Sequence, residues 1–293
     1  MNLIKPPYLK EGDTIAIIAP AGDVCYDEII KAQVFFERHN LRVKLGKNIF
    51  KSCRYMAGTD AERVEDLHEA FLDSSVNAIV CARGGYGSIR LIKLIDFDII
   101  RRNPKIFCGY SDITALSLMM AKYSDLITFS GPMAQSDFND IAEFTEKSFF
   151  NVLSGGEEEY FSTVTYNSGN AQGIIWGGNL ATIVSLCGID FIPEEDFIFF
   201  TEDLNETAYK VDKMLNQLIN IKEFRKHCKG IVFGEFLDCG DENWLCEIFA
   251  ETAQILNVPA YGGFKFSHAQ NKQTVPVGAA GYLQDGILSY KMY

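Results

Sequence analysis

Three observations make this 293-residue chain an α/β protein. Up to about Ser130, short apolar runs alternate with segments of helical periodicity. Each pair of runs is separated by a single helix, so the connections are right-handed crossovers and the sheet is mostly parallel, with helices on both faces. Beyond Ser130 that alternation stops, and a less regular α+β half is expected.

Residues 14–19 (TIAIIA) read as a buried strand ending at Pro20-Ala21-Gly22, and residues 27–40 place Ile29, Ile30, Val34 and Phe35 on one helical face. Residues 41–45 make a second strand. Residues 60–73 form an acidic helix with Val64, Leu67 and Phe71 on its apolar side. A third strand, residues 76–82 (VNAIVCA), runs into Arg83-Gly84-Gly85-Tyr86-Gly87 and a helix over 88–94. Residues 105–109 are a fourth strand, followed at once by a helix over 113–122, and residues 126–129 make a fifth. Between 132 and 169 an acidic, aromatic helix mixes with Ser-Gly-Gly and Asn-Ser-Gly turns. The chain is therefore divided into a domain over 1–135, a connection over 136–170 and a second domain over 171–293. The second half has apolar runs at 173–176, 197–201 and 230–233 and helices at 209–219 and 242–256. A hairpin over 282–290 turns at Asp285-Gly286, a good type I′ pair.

Composition narrows the functions. Lys and Arg number 27 against 39 Asp and Glu, a net charge of −12. Such a surface repels polyanions, so nucleic acid and anionic membranes are poor partners and a small molecule in a local pocket is the better one. Lys5 and Pro6-Pro7 interrupt any apolar leader, and no stretch is long enough to span a membrane. The eight cysteines are scattered without a C-x-x-C pair. Cys81 and Cys108 lie in apolar runs, as small buried hydrophobes do. A soluble, unexported, cytoplasmic protein is expected.

Ligands of open α/β sheets bind beyond the carboxyl ends of the strands, which directs attention to residues 82–87 and 109–113. Gly109-Tyr110-Ser111-Asp112-Ile113 puts a serine on a strand-to-helix turn, much as in a nucleophile elbow. Ser and Asp are also the favoured helix caps, so both readings stand at this point. The glycines of Arg83–Gly87 suit a backbone that turns its amides toward a ligand, or an ordinary tight turn; they lack the spacing of a P-loop or a dinucleotide fingerprint. Of four histidines, His39, His68 and His227 sit in charged contexts and read as solvated. His268 lies in a loop, GGFKFSH, with no helical period to explain it. Glu202 ends the apolar run 197–201, where a carboxylate suits the orienting of an imidazole; Asp203 and Glu206 fit a helix N-terminus better. No metal motif is present, and no metal or cofactor is expected.

Taken together, these segments resemble the LD-carboxypeptidases, a serine peptidase family that includes murein tetrapeptide carboxypeptidases and microcin C self-immunity proteins. The carriers are IAIIAPAG, RGGYG, GYSDIT, Gly131-Pro132-Met133, WGGNL, EDLNE with KVDKMLNQL, and His268 with QTVPVGA after it. The order Ser…Glu…His is the family's. The resemblance implies a flavodoxin-like N-terminal domain and a C-terminal α+β domain with a barrel-like sheet. It implies a triad of Ser111 as nucleophile, His268 as base and Glu202 as its orienter, with the N–H groups of Gly85 and Asp112 as oxyanion hole. It further implies a metal-free peptidase in a cleft between two domains, releasing D-alanine from murein tetrapeptides, and commonly a homodimer. Ser267 stands where many members have Gly. Arg83 is a candidate clamp for the substrate carboxylate, and Tyr86 and Trp176 are candidate cleft residues. Two other readings compete: a microcin-immunity-like hydrolase of acyl-adenylates, which needs an aromatic platform from Trp176 or Trp244, and a non-catalytic binding protein with the same cleft.

Overall fold

The computed structural model describes residues 3–292; Met1, Asn2 and Tyr293 lie outside the described residues. In β1 (Thr14–Ile18), Ile15 and Ile17 enter one core and Ala16 and Ile18 the other. Side chains alternate along a strand, so a sheet covered on both faces needs an apolar residue at every position. α1 (Tyr26–Arg38) buries Ile29, Ala32 and Phe36 on one face of the sheet. β2 (Arg42–Leu45) is the edge strand, and its RVKL sequence alternates exposed with half-buried positions. α2 (Asp60–Leu72) begins at a capping box of Thr59 and Glu62 and packs Val64, Leu67 and Phe71 on the opposite face. β3 (Ala78–Cys81), α3 (Phe97–Arg102), β4 (Ile106–Cys108), α4 (Thr114–Ser124) and β5 (Thr128–Ser130) complete the half. Strands β2, β1, β3, β4 and β5 lie side by side and parallel. Cys81 and Cys108 are buried in it, and burial pushes both thiols up.

One local expectation changes. The helix expected over 88–94 is a single 3₁₀ turn, Ser88–Leu91, and the two-turn α3 follows it. Asp96 explains the break, since its side chain accepts the N–H groups of Asp98 and Ile99 and starts a new helix.

The chain continues through α5 (Ala134–Asp137), α6 (Glu143–Leu153), β6 (Glu159–Phe161), β7 (Val164–Asn167), β8 (Ala171–Asn179) and α7 (Leu180–Ser185). Next come β9 (Phe197–Leu204), α8 (Ala208–Ile219), α9 (Lys222–His227), β10 (Cys228–Leu237), α10 (Glu242–Leu256), β11 (Ala260–Gly262), β12 (Val275–Val277), β13 (Ala280–Gln284) and β14 (Ile287–Lys291). The second sheet runs β6-β14-β13-β8-β9-β10-β11-β7. Its edges, β6 and β7, are consecutive in the chain with only Ser162 and Thr163 between them. A link that short spans roughly 10 Å, so the sheet curls until its edges meet, in the manner of a barrel. The hairpin turns at Asp285 and Gly286 as expected, both at positive φ.

Among the contacts that join the halves, two position the site. β12 returns to the first sheet and pairs antiparallel with β5. Thr114 Oγ1, at the start of α4, accepts the N–H of Asn179 at the end of β8, 3.1 Å away. The carboxyl end of β8 is thereby seated on the turn that follows β4. Among the described residues no helix is long and apolar enough to cross a membrane.

Candidate active site

The turn after β4 carries Ser111. Tyr110 is still extended, but Ser111 has φ +62°, in the left-handed region that costs a non-glycine residue about 1–2 kcal/mol. A 3₁₀ turn, Ser111–Ile113, then leads into α4, whose start carries no side-chain cap. Asp112 is not a helix cap either. It is buried, its Oδ2 accepts the N–H of Ser88 at 2.8 Å, and its carbonyl accepts the Ser88 hydroxyl at 2.5 Å. Burial pushes its carboxyl above the ordinary value, against the pull of the Ser88 and Gly87 N–H groups and of Arg63. Asp112 thus ties the serine turn to the end of the glycine loop.

That loop is held from behind by Arg63, whose buried guanidinium donates to the carbonyls of Pro20 and Gly87. Gly84 accepts the N–H of Gly22 at 3.1 Å, and its Cα faces Ser111 so closely that a Cβ there would lie 3.0 Å from Oγ and 3.4 Å from the Asp112 nitrogen. Gly85, the next residue, is exposed at φ +106°. Gly84 and the N–H of Asp112 therefore stand beside the serine side chain, while the neighbours of Gly85 are Gly22 and Arg83.

His268 enters from the second half. Its Nδ1 is 2.8 Å from Glu202 Oε2. Glu202 lies in β9, paired in register with Asn179 of β8, and the side chains of His268 and Glu202 are largely shielded, at 15% and 6% exposure. Its other oxygen, Oε1, is buried without a hydrogen-bond partner among the described residues. A buried carboxylate on Nδ1 fixes the imidazole tautomer and leaves Nε2 to act as base. Ser267 shows no positive φ; its hydroxyl donates to Glu235 at 2.6 Å and accepts the Ala269 N–H, so this loop does without a glycine there.

The neighbouring acids are occupied elsewhere. Asp203 accepts from Asn179 Nδ2 and from the N–H groups of Ala181 and Leu204, and burial pushes its carboxyl up to about 6. Glu206 pairs with Lys210 at 3.0 Å. The other three histidines are half-buried rather than solvated: His39 meets the Phe35 carbonyl and Glu146, His68 accepts the Asp96 N–H, and His227 meets Asp196. Apart from the Phe35 carbonyl, these partners come from distant segments, which local pattern alone did not reveal.

The remaining candidates divide. Arg83 is half-buried and donates to the carbonyl of Asp23 at 3.2 Å, leaving other guanidinium N–H groups to face a ligand. Tyr86 is 46% exposed beside Tyr55. Trp176 belongs to the hydrophobic core at 1% exposure and does not line a solvent-open cleft; β8 is covered on both sides where the indole stands. Sequence reasoning missed Tyr110 and Lys272. The Tyr110 ring meets the His268 ring edge-to-face, with centroids 4.9 Å apart and planes at 71°. A cavity of about 10 Å³ lies among Tyr110, Glu202, Ser267 and Lys272. A larger one, about 360 Å³, is lined by Cys187, Asp190 and Gln217 and touches none of these residues. Among the described residues no group of three His, Cys, Asp or Glu side chains is placed to hold a metal ion.

A serine on a strained strand-to-helix turn, an amide beside it, and a histidine held by a buried carboxylate suit a serine hydrolase on a two-part α/β scaffold. Residues 15–131 match the family model of the LD-carboxypeptidase N-terminal domain, and residues 172–283 that of the C-terminal domain. The chain belongs to the LD-carboxypeptidase family. It is 37% identical to a "Probable murein peptide carboxypeptidase" of Bacillus subtilis, over 94% of this chain and 90% of that one. Among solved structures it superposes on an MccF-like protein from Bacillus anthracis with a TM-score of 0.91 at 28% identity, covering 99% of this chain and 100% of that one. A muramoyltetrapeptide carboxypeptidase from Oxalobacter formigenes gives a TM-score of 0.88 at 29% identity, covering 96% and 99%.

Proposed function

We propose that this protein is a metal-independent serine carboxypeptidase that releases the terminal D-alanine of murein tetrapeptides, in cell-wall recycling. The observation that carries the reading is the 2.8 Å contact of His268 Nδ1 with buried Glu202, in a chain whose candidate nucleophile, Ser111, sits at positive φ. His268 Nε2 takes the Ser111 proton as Oγ attacks the carbonyl that precedes D-alanine. The N–H groups of Gly85 and Asp112 receive the oxyanion. The C–N bond then breaks, and the imidazolium gives its proton to the departing amine. Water, deprotonated by His268, attacks the acyl-enzyme and restores Ser111. Arg83 holds the substrate's terminal carboxylate. Tyr86 lines the entrance.

The domain division at 1–135 and 171–293 puts the nucleophile on one side and Glu202 with His268 on the other. The eight cysteines are all free thiols, in keeping with a cytoplasmic setting. A homodimer completes the reading on family resemblance alone. The microcin-type alternative calls on tryptophan for an aromatic platform; the burial of Trp176 removes one of its two candidates and leaves Trp244, exposed on α10.

The test incubates purified protein with a murein tetrapeptide and, in parallel, with an acyl-adenylate analogue, each with and without EDTA. D-Alanine release that survives chelation is expected. Hydrolysis of the adenylate alone, or activity lost to EDTA and restored by zinc, overturns the reading.

A further inference from the structure

Lys272 lies four residues beyond His268, and its side chain is directed into the protein, where it is 3% exposed. Its direction is built in. The Lys272 N–H donates to Thr145 Oγ1 of α6 at 2.9 Å, the same hydroxyl donates to the Gln270 carbonyl, and the Thr274 N–H donates to Ser148 Oγ at 2.9 Å. α6 therefore grips the segment after His268 at three successive alternate residues. From that anchorage the ammonium reaches two partners across the seam between the halves. It pairs with Asp137, whose side chain is 10% exposed, and donates to the Tyr110 hydroxyl at 3.1 Å. It also stands 4.3 Å from the Tyr110 ring centroid. Asp137 is fixed in turn, since its Oδ2 accepts the Met133 N–H at 2.8 Å.

Tyr110 is the residue before Ser111, and its ring meets the His268 imidazole edge-to-face. Nδ1 of that imidazole is held by Glu202. One hydrogen bond leaves a ring free to rotate about the bond axis; a second contact on its side removes that freedom. A buried ion pair is a costly device whose attested use is to set register between packed elements. This pair joins the histidine-bearing segment to α5, next to the serine-bearing turn.

We propose that Lys272 is a positioning residue: clamped between Asp137 and the Tyr110 hydroxyl, its ammonium fixes the Tyr110 ring, which fixes the angle of the His268 imidazole. The inference rests on His268 acting as base for Ser111. Lys272 touches no substrate, so its removal lowers the reactivity of the serine and not substrate affinity.

The rate of Ser111 phosphorylation by diisopropyl fluorophosphate, with fluoride as leaving group, tests this without reference to any particular peptide. The variants are Lys272→Met paired with Asp137→Asn, which removes both charges together, and Tyr110→Leu, which removes the ring and retains the ion pair. Each is expected to label at least about 10-fold more slowly than the unaltered protein, with KM for peptide within about twofold. The downfield proton resonance of His268 Nδ1 is expected to broaden in both, a signature that a merely structural role would not move. Should one variant fail to fold, the other decides. Labelling at the unaltered rate in either folded variant overturns the role of Lys272 alone. Failure of the unaltered protein to label at Ser111 overturns the serine mechanism, and this inference with it.

Discussion

A Cβ placed on Gly84 would lie 2.9 Å from the Cβ of Ser111, closer than side chains pack. The glycine loop after β3 and the turn after β4 therefore meet where the first has no side chain. Gly84→Ala is expected to push the serine off its position while the parallel sheet stays intact. A displacement approaching 1 Å costs about 100-fold in turnover, so kcat/KM is expected to fall by about that factor. Unchanged kcat/KM with a normal circular dichroism spectrum would mean that the serine position is not critical.

The hydrogen bond between Glu202 and His268 sets the next expectation. Glu202→Gln keeps the shape but loses the negative charge facing Nδ1. A loss of about 10⁴-fold in kcat is expected, against about 10⁶-fold for Ser111→Ala or His268→Ala. Steady-state D-alanine release from tetrapeptide measures all three. Persistent activity in Ser111→Ala eliminates the acyl-enzyme route.

Asp112 is expected to matter for stability as well as catalysis. Asp112→Ala leaves the buried N–H of Ser88 without its acceptor, a loss of about 1–3 kcal/mol. Urea unfolding of Asp112→Ala beside Asp112→Asn reads this, since the amide oxygen of Asn can still accept. Equal midpoints for the two variants would show that the bond contributes nothing.

Asp203 gives a pH dependence with a definite sign. Burial raises its pKa from 3.8 to about 6, so the folded protein holds this proton more tightly than the unfolded chain does. Between about pH 4 and pH 6 the unfolded chain releases its proton first, and stability falls as pH rises through that window. Above pH 6 the contribution is constant. Asp203→Asn removes the titration, so the stability difference between the two proteins is expected to change across pH 4–6 and to level off above it. Unfolding midpoints at pH 4.5, 5.5 and 7 check this, and a constant difference throughout would contradict it.

Much of the first half was legible because its physics is local. Five apolar runs with helices between them admit few arrangements other than a covered parallel sheet, and all five strands appear. The unhelical context of His268 and the strand end at Glu202 singled out the two residues that the fold brings to 2.8 Å. The glycine loop and the serine turn lie on neighbouring strands, so they were bound to be close. Trp176 was misplaced for a physical reason: an aromatic in an apolar run gives no sign of whether its neighbours leave a side open.

What the chain determined by itself is the succession of strands and helices and the inventory of reactive side chains, both functions of short-range periodicity and residue chemistry. That the adjacent carboxylates of Glu202 and Asp203 go to different partners on opposite faces was decided only in three dimensions. β9 continues through all of Glu202 and Asp203, so alternate side chains go to opposite faces. One meets the histidine loop and the other the start of α7. The Lys272–Asp137 pair and the ring of Tyr110 belong to the same category. Their residues come from three separate segments, and no local pattern ties them together until the second sheet is seated on the first.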